Sequence, residues 1–102
     1  MRSFRYSVRA DADMVGIARY SRERFGDAQT ERYLTQIEAA ISKAVEIPGL
    51  MRVRPELGEG IFAARCGSHI AFLTRPANTW LVIAVLHSRM DPARHLDPKQ
   101  SD

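Results

Sequence analysis

The run Trp80-Leu81-Val82-Ile83-Ala84-Val85-Leu86 is the longest strictly apolar stretch in the chain. It is far too short to cross a membrane, which takes about 20 such residues. Pro76-Ala77-Asn78 before it and His87-Ser88-Arg89 after it mark turns, so it reads as a strand apolar on both faces. Such a strand lies inside a sheet, or has its outer face covered. Working backwards, His69 to Thr74 reads as the preceding strand, and Ile61 to Cys66 as the one before that. The two are joined by Gly67-Ser68. In the earlier strand Phe62, Ala64 and Cys66 share one face and Arg65 takes the other.

Towards the N-terminus the pattern changes. Ser3 to Arg9 alternates, with Phe4, Tyr6 and Val8 on one side and Arg5 and Arg9 on the other, a half-buried strand with a basic outer face. Asp11 then suits a helix N-cap, with Asp13 in the first turn, and Met14, Ile17, Ala18 and Ser21 recur at helical spacing. Gly16 lowers the stability of that helix by roughly 1 kcal/mol relative to Ala, which calls for a packing reason. Gly26 fits a left-handed C-terminal cap and Asp27 can cap a second helix at once, so the two should fold back on each other. The second helix runs from about residue 28 to 47, with Tyr33, Ile37, Ala40, Ile41 and Ala44 as its apolar stripe, and Pro48-Gly49 stops it. Residues 50–60 read as a connection carrying Arg52 and Arg54. The order is β-α-α-β-β-β. Helices segregated from hairpin-linked strands imply an α+β domain of two layers, a helical hairpin on a mostly antiparallel sheet. One domain is expected over 1–96, with a polar tail at 97–102.

The 102 residues suffice for one modest core. The N-terminal stretch has no long apolar run, which reads as no secretory leader. The single cysteine, Cys66, cannot close an internal disulfide. Together these point to the cytoplasm. The net charge is +3, with 13 Arg against 2 Lys. Arginine-rich basic surfaces suit bidentate contacts to phosphate or carboxylate, so an anionic partner is expected. The three histidines lack close metal-ligand spacing, so no metal and no cofactor are expected.

Several fragments now line up. They are Asp13-Met14…Ile17…Tyr20, Phe25-Gly26, Ala28-Gln29, Tyr33, Pro48-Gly49, Arg65…His69-Ile70-Ala71-Phe72, and Val85-Leu86-His87-x-Arg89-Met90-Asp91…His95-Leu96. In this order they resemble the ParE branch of the RelE/ParE toxin superfamily over about nine tenths of the chain. The chain departs from that pattern at Ala84, where Arg is frequent, and at Leu73, where Tyr is common. The resemblance implies the toxin half of a type II toxin–antitoxin pair, neutralised by a small ParD-like partner with an acidic C-terminal segment. ParE-type members inhibit DNA gyrase, whereas RelE-type members cleave messenger RNA on the ribosome.

Two sets of residues follow. For target binding, the candidates are Arg52, Arg54, His87 and Arg89. If the chain is instead a ribonuclease, His87 would move a proton while Arg52, Arg54, Arg65 and Arg89 neutralise the scissile phosphate. Otherwise His87 and Asp91 pair locally and fix the C-terminal turn. For the antitoxin, the doubly apolar last strand predicts an exposed apolar strip on the sheet face away from the helices, flanked by arginines, with Arg65, Phe72, Trp80 and Val82 as contacts. His69 is expected to be structural, His95 exposed, Cys66 a buried small hydrophobe, and Tyr20 and Tyr33 hairpin packing.

Overall fold

The computed structural model describes residues 4–96, so the expected tail at 97–102 lies outside the described residues. The chain runs through β1 (Phe4–Tyr6), α1 (Val8–Glu46), β2 (Arg52–Val53), β3 (Phe62–Cys66), β4 (His69–Thr74), β5 (Trp80–His87) and α2 (Pro92–His95). The strands make one sheet in the order β1-β5-β4-β3-β2. β1 runs parallel to β5, and the β5-β4, β4-β3 and β3-β2 pairs are antiparallel. This is the expected α+β architecture, a helical layer on a mostly antiparallel sheet. Among the described residues no helix is long and apolar enough to cross a membrane.

The helical layer begins earlier than the alternation suggests. Ser7, not Asp11, is the N-cap, its Oγ accepting from the Ala10 N–H at 3.0 Å. A serine hydroxyl satisfies one of the orphan amides of the first turn as well as an aspartate does. Val8 is therefore helical and exposed. α1 spans 39 residues, which as a straight helix would be about 58 Å long. The whole molecule extends only 38 Å along its longest axis. The break is Gly26, at φ 81° and ψ 176°. That is not the left-handed cap expected from the sequence but an extended mirror-image conformation open essentially to glycine alone. Thr30 Oγ1 lies 2.8 Å from the Gly26 carbonyl and 2.9 Å from Ser21 Oγ. A carbonyl can only accept, so the Thr30 proton goes to Gly26 and Ser21 donates to Thr30. The hydroxyls thus lock the two arms of α1 against each other.

The connection expected at 50–60 contains a fifth strand. β2 pairs Arg52 with Ala63 and Val53 with Phe62. Two residues carry no readable periodicity, which is why the sequence hides it. β4 and β5 pair with a shift after Phe72. Phe72 faces Ala84 while Leu73 faces Val82, leaving Ile83 as the extra residue of a bulge.

The sheet has a buried cluster on each face. On the helix side, Ile37, Ile41, Ala44 and Val45 of the second arm meet Ala64, Cys66, Ala71, Leu73, Trp80, Val82 and Val85. The stripe read from the sequence is the one that packs. On the other side, Ile61, Ala63, Phe72, Leu81, Ile83, Ala84 and Leu86 pack with Leu96, and Leu57 and Ile70 lie against them. This corrects the expectation of an open apolar strip. Phe72 is 1% exposed and Ile83 3%. The outer face is closed by the protein's own residues, Leu57 from the turn after β2 and Leu96 beyond α2. Burying a large aliphatic or aromatic side chain is worth roughly 1.5–3 kcal/mol, so the fold does not leave such a face wet.

Candidate functional site

Where β4 begins and β5 ends, the sheet meets the two arms of α1 around an open groove of about 1050 Å³. Three structural devices build it. The first is a carboxylate tie. Asp13, on the first arm, receives Arg9 Nε at 3.1 and 3.2 Å and the Val85 N–H at 2.9 Å. Arg9 in turn donates from Nη1 to the His95 carbonyl at 2.7 Å. One side-chain chain of contacts thus joins the helical layer, β5 next to its bulge, and the C-terminal turn.

The second device is the Tyr33–His69–His87 cluster. His69 and His87 face each other across β4 and β5, with ring centroids 5.2 Å apart and nearly perpendicular. Tyr33, from the second arm, has its hydroxyl 2.6 Å from His69 Nδ1, while the Ser68 N–H donates to the same oxygen at 3.1 Å. The same hydroxyl lies 3.4 Å from the Cys66 carbonyl, so the direction of the short Tyr33–His69 hydrogen bond follows the His69 tautomer. Burial, and secondarily the facing His87, hold the His69 imidazole below its ordinary value. The Tyr33 ring comes so close to Gly67 that a Cβ there would sit 3.0 Å from it, and Gly67 also has φ 65°. The glycine is the residue this turn needs.

The third device is the turn after β5. His87 Nδ1 accepts the Arg89 N–H at 3.1 Å, and the His87 carbonyl accepts from Met90. Asp91 caps α2 by accepting from the Ala93 N–H at 3.1 Å. His87 and Asp91 therefore each fix a turn, by separate bonds to backbone amides. Arg89 and Met90 are left exposed beside the groove.

The basic residues singled out in the sequence do not converge. His87 sits opposite His69 on the helix side of the sheet, within the groove. Arg52 pairs with Ala63, a member of the outer cluster, so it points the other way. Arg65 alternates with Ala64 and Cys66 of the inner cluster and also turns outward, its Nε donating to the Gly67 carbonyl at 3.3 Å. Arg54 is committed to Glu56 at 2.6 Å, and that contact holds the Glu56 carboxyl below the usual range. The apolar residues expected to share one surface are also divided. Phe72 lies in the outer cluster, whereas Trp80 and Val82 lie in the helix-side cluster at 2% and 0% exposure. Val82 pairs with Leu73, the residue after Phe72 on β4, so the alternation of β4 turns Phe72 to the opposite face. Cys66 is buried as expected, and burial raises its thiol to about 11, so it is no nucleophile at neutral pH.

Sequence reading missed the Asp13–Val85 bond, the Tyr33–His69 contact and the groove itself. Arg9 and Asp13 are four apart on one helix, a spacing that could have flagged their pairing. The other contacts join residues 36 or more apart, and no local pattern announces them.

Residues 4–92 match the model of the family described as ParE toxin of type II toxin-antitoxin system, parDE. Toxin ParE of Escherichia coli is 37% identical over 92 residues, covering 89% of each chain. Toxin ParE1 of Caulobacter vibrioides is 34% identical over 96 residues, 94% of this chain and 99% of that protein. A solved structure described as the chromosomal ParDE TA system from P. aeruginosa superposes with a TM-score of 0.72 at 13% identity, over 85% of this chain and 96% of that one. That likeness bears on the fold, while the sequence matches bear on the family. The chain belongs to the ParE toxin family of type II toxin–antitoxin systems.

Proposed function

We propose that this toxin acts in the cytoplasm by binding, inhibiting DNA gyrase without chemistry of its own, and that a cognate ParD-like antitoxin with an acidic C-terminal segment holds it inactive. The observation that carries the first half is the division of the basic set by the sheet. A phosphoryl-transfer site needs its acid–base group and its charge-stabilising groups around one scissile bond. Here His87 faces the helices, while Arg52 and Arg65 face away. A strand rises about 3.3 Å per residue and neighbouring strands lie about 4.8 Å apart, which puts Arg52 on β2 well over 10 Å from His87 on β5. Both imidazole Nδ1 atoms are already engaged in hydrogen bonds within the chain. A set dispersed in this way suits contact with a macromolecule over a broad surface. Arg89, in the exposed turn after β5, and Arg52, on the open edge strand, are the cations placed to reach a target. Arg54 and His87 are engaged within the chain and contribute by holding shape.

For the antitoxin, the burial of Phe72, Trp80 and Val82 moves the contact to residues that solvent reaches, with Arg65 among them. The test is a gyrase supercoiling assay with the purified protein. Inhibition by the wild type, weakened by Arg89→Ala, is the expected result. Full supercoiling at large molar excess of toxin overturns the reading, and messenger RNA cleavage in a translating extract would put ribonuclease action in its place.

A further inference from the structure

β2 closes one edge of the sheet, and no strand lies beyond it among the described residues. The Arg54 N–H donates to the Ile61 carbonyl at 2.8 Å, while Arg52 pairs with Ala63 and Val53 with Phe62. Opposed residues in antiparallel strands alternate between hydrogen-bonded and unbonded pairs. Val53 therefore sits in an unbonded pair and turns its N–H and C=O away from β3, to the open side. Proteins commonly blunt such an edge with lysine, proline or inward-pointing charge. This edge is apolar instead. Ile47, Leu50 and Val53 stand 51%, 60% and 56% exposed. Leu50 also borders a shallow crevice of about 230 Å³ floored by Ala40, Ala44 and Ala64, and its charged lining residues, Lys43 and Arg65, are both cations. On β2 itself Arg52 is exposed, and the carboxylate nearest to it in sequence, Glu56, is held by Arg54. None of these residues lines the groove.

An outward N–H and C=O, an apolar strip and cations with no carboxylate of their own suit an extended acidic segment. Main-chain bonds supply affinity in such a contact, and side chains fix the register. A second copy suits the edge less. The twofold pairing that joins Val53 to its counterpart sets Arg52 opposite Arg54 of the other copy, and like charges directly opposed are destabilising. We propose that an extended segment of the target adds as a strand beside β2, bonded to the Val53 backbone, with an apolar side chain on Leu50 and Val53 and a carboxylate on Arg52. The proposal rests on the reading that the toxin acts by binding its target.

The test uses the full chain, purified gyrase and the small protein encoded beside the toxin. Affinities are read by titration calorimetry, and the melting temperature of each free toxin is recorded. Val53→Pro removes the outward N–H while every bond between β2 and β3 stays, at an edge position where proline is tolerated. The variant should melt close to the wild type and bind the small protein normally, while its affinity for gyrase falls by roughly tenfold or more. Val53→Thr keeps the N–H and should lose gyrase affinity less steeply. Arg52→Glu, at an exposed position, should weaken gyrase binding by roughly tenfold. It keeps the proposal falsifiable if Val53→Pro folds poorly. Wild-type gyrase affinity in a folded Val53→Pro, or in Arg52→Glu, overturns the edge assignment. Equal losses in the proline and threonine variants overturn strand addition in favour of a side-chain contact. If gyrase does not bind the wild type at all, the target reading fails and the proposal falls with it. A variant that loses the small protein but keeps gyrase overturns it in favour of the antitoxin as occupant. A wild-type dimer made monomeric by Val53→Pro overturns it in favour of a second copy.

Discussion

The two faces of the sheet are closed by different means. The helix side is covered by the second arm of α1, four of whose residues are buried against the sheet in one continuous stripe, Ile37, Ile41, Ala44 and Val45. The outer side holds an equally apolar set, Phe72, Leu81, Ile83, Ala84 and Leu86, yet two side chains from distant irregular segments, Leu57 and Leu96, complete its cover. Both faces are dry, but one lid is a helix held at many points and the other is a pair of plugs. Burial alone does not say how hard a face is to open. What matters is how many independent segments must let go.

The largest expected effect lies on the helix side. Leu73, fully buried there, should lose about 3 kcal/mol of unfolding free energy on Leu73→Ala, because a well-packed cavity cannot collapse. Leu96→Ala on the outer side should cost roughly half of that, since the plug is short and can shift to refill the space. Denaturant midpoints at constant m-value measure both. Equal losses would show the outer lid to be as rigid as the inner one.

The next effect concerns what makes the helical lid possible. Gly26 holds a backbone conformation that a side chain resists, so Gly26→Ala should cost about 2 kcal/mol, even though a Cβ there would touch nothing within 4 Å. Strain is then the cause and not crowding. A variant that melts like the wild type would mean that the arms can fold back without this turn. Slightly smaller is Asp13→Ala, expected to cost roughly 1.5 kcal/mol, because the Val85 amide and the Arg9 guanidinium lose their shared acceptor. Arg9→Ala in the same background should cost less than Arg9→Ala alone, since its contact with Asp13 is already gone and its bond to the His95 carbonyl remains to be lost.

These positions also mark what could be read from the chain and what could not. The Trp80–Leu86 run and the Ile37–Ile41–Ala44 stripe were legible because burial imposes a period on neighbouring residues. The start of α1 was not. Phe4, Tyr6 and Val8 continue one alternation across the strand, its cap and the helix, and only the Ser7 hydroxyl bond to Ala10 separates them. β2 is too short to show a period. The doubly apolar face of β5 was legible, but its cover was not, because Leu57 and Leu96 come from turns whose destination depends on the whole fold. The site divides in the same way. His87 and Arg89 announced themselves in the closing motif, whereas the groove arises from contacts between Asp13 and Val85 and between Tyr33 and His69, which lie 72 and 36 positions apart.

The smallest effect tests the rim where the helical lid meets the sheet. The fold keeps His69 below its ordinary value of 6.5, chiefly by burial and then by the facing His87. In the unfolded chain the same imidazole titrates at the ordinary value. As pH falls through about 6.5, the unfolded state takes up the proton first, and unfolding is favoured. The contribution of neutral His69 is thus complete above that pH. It declines as the solution is acidified and stops declining once the pH lies beneath the folded value. His69→Gln removes the titration while leaving an acceptor for Tyr33. The stability difference between wild type and His69→Gln, followed by denaturant titration at several pH values, should be flat near pH 8 and shift against the wild type towards about pH 5. Carboxylates common to both proteins cancel in that difference. A difference that moves in favour of the wild type on acidification would mean that the folded groove welcomes the proton. The rim would then carry a cation at His69 that the burial of this ring and its bond to Tyr33 argue against.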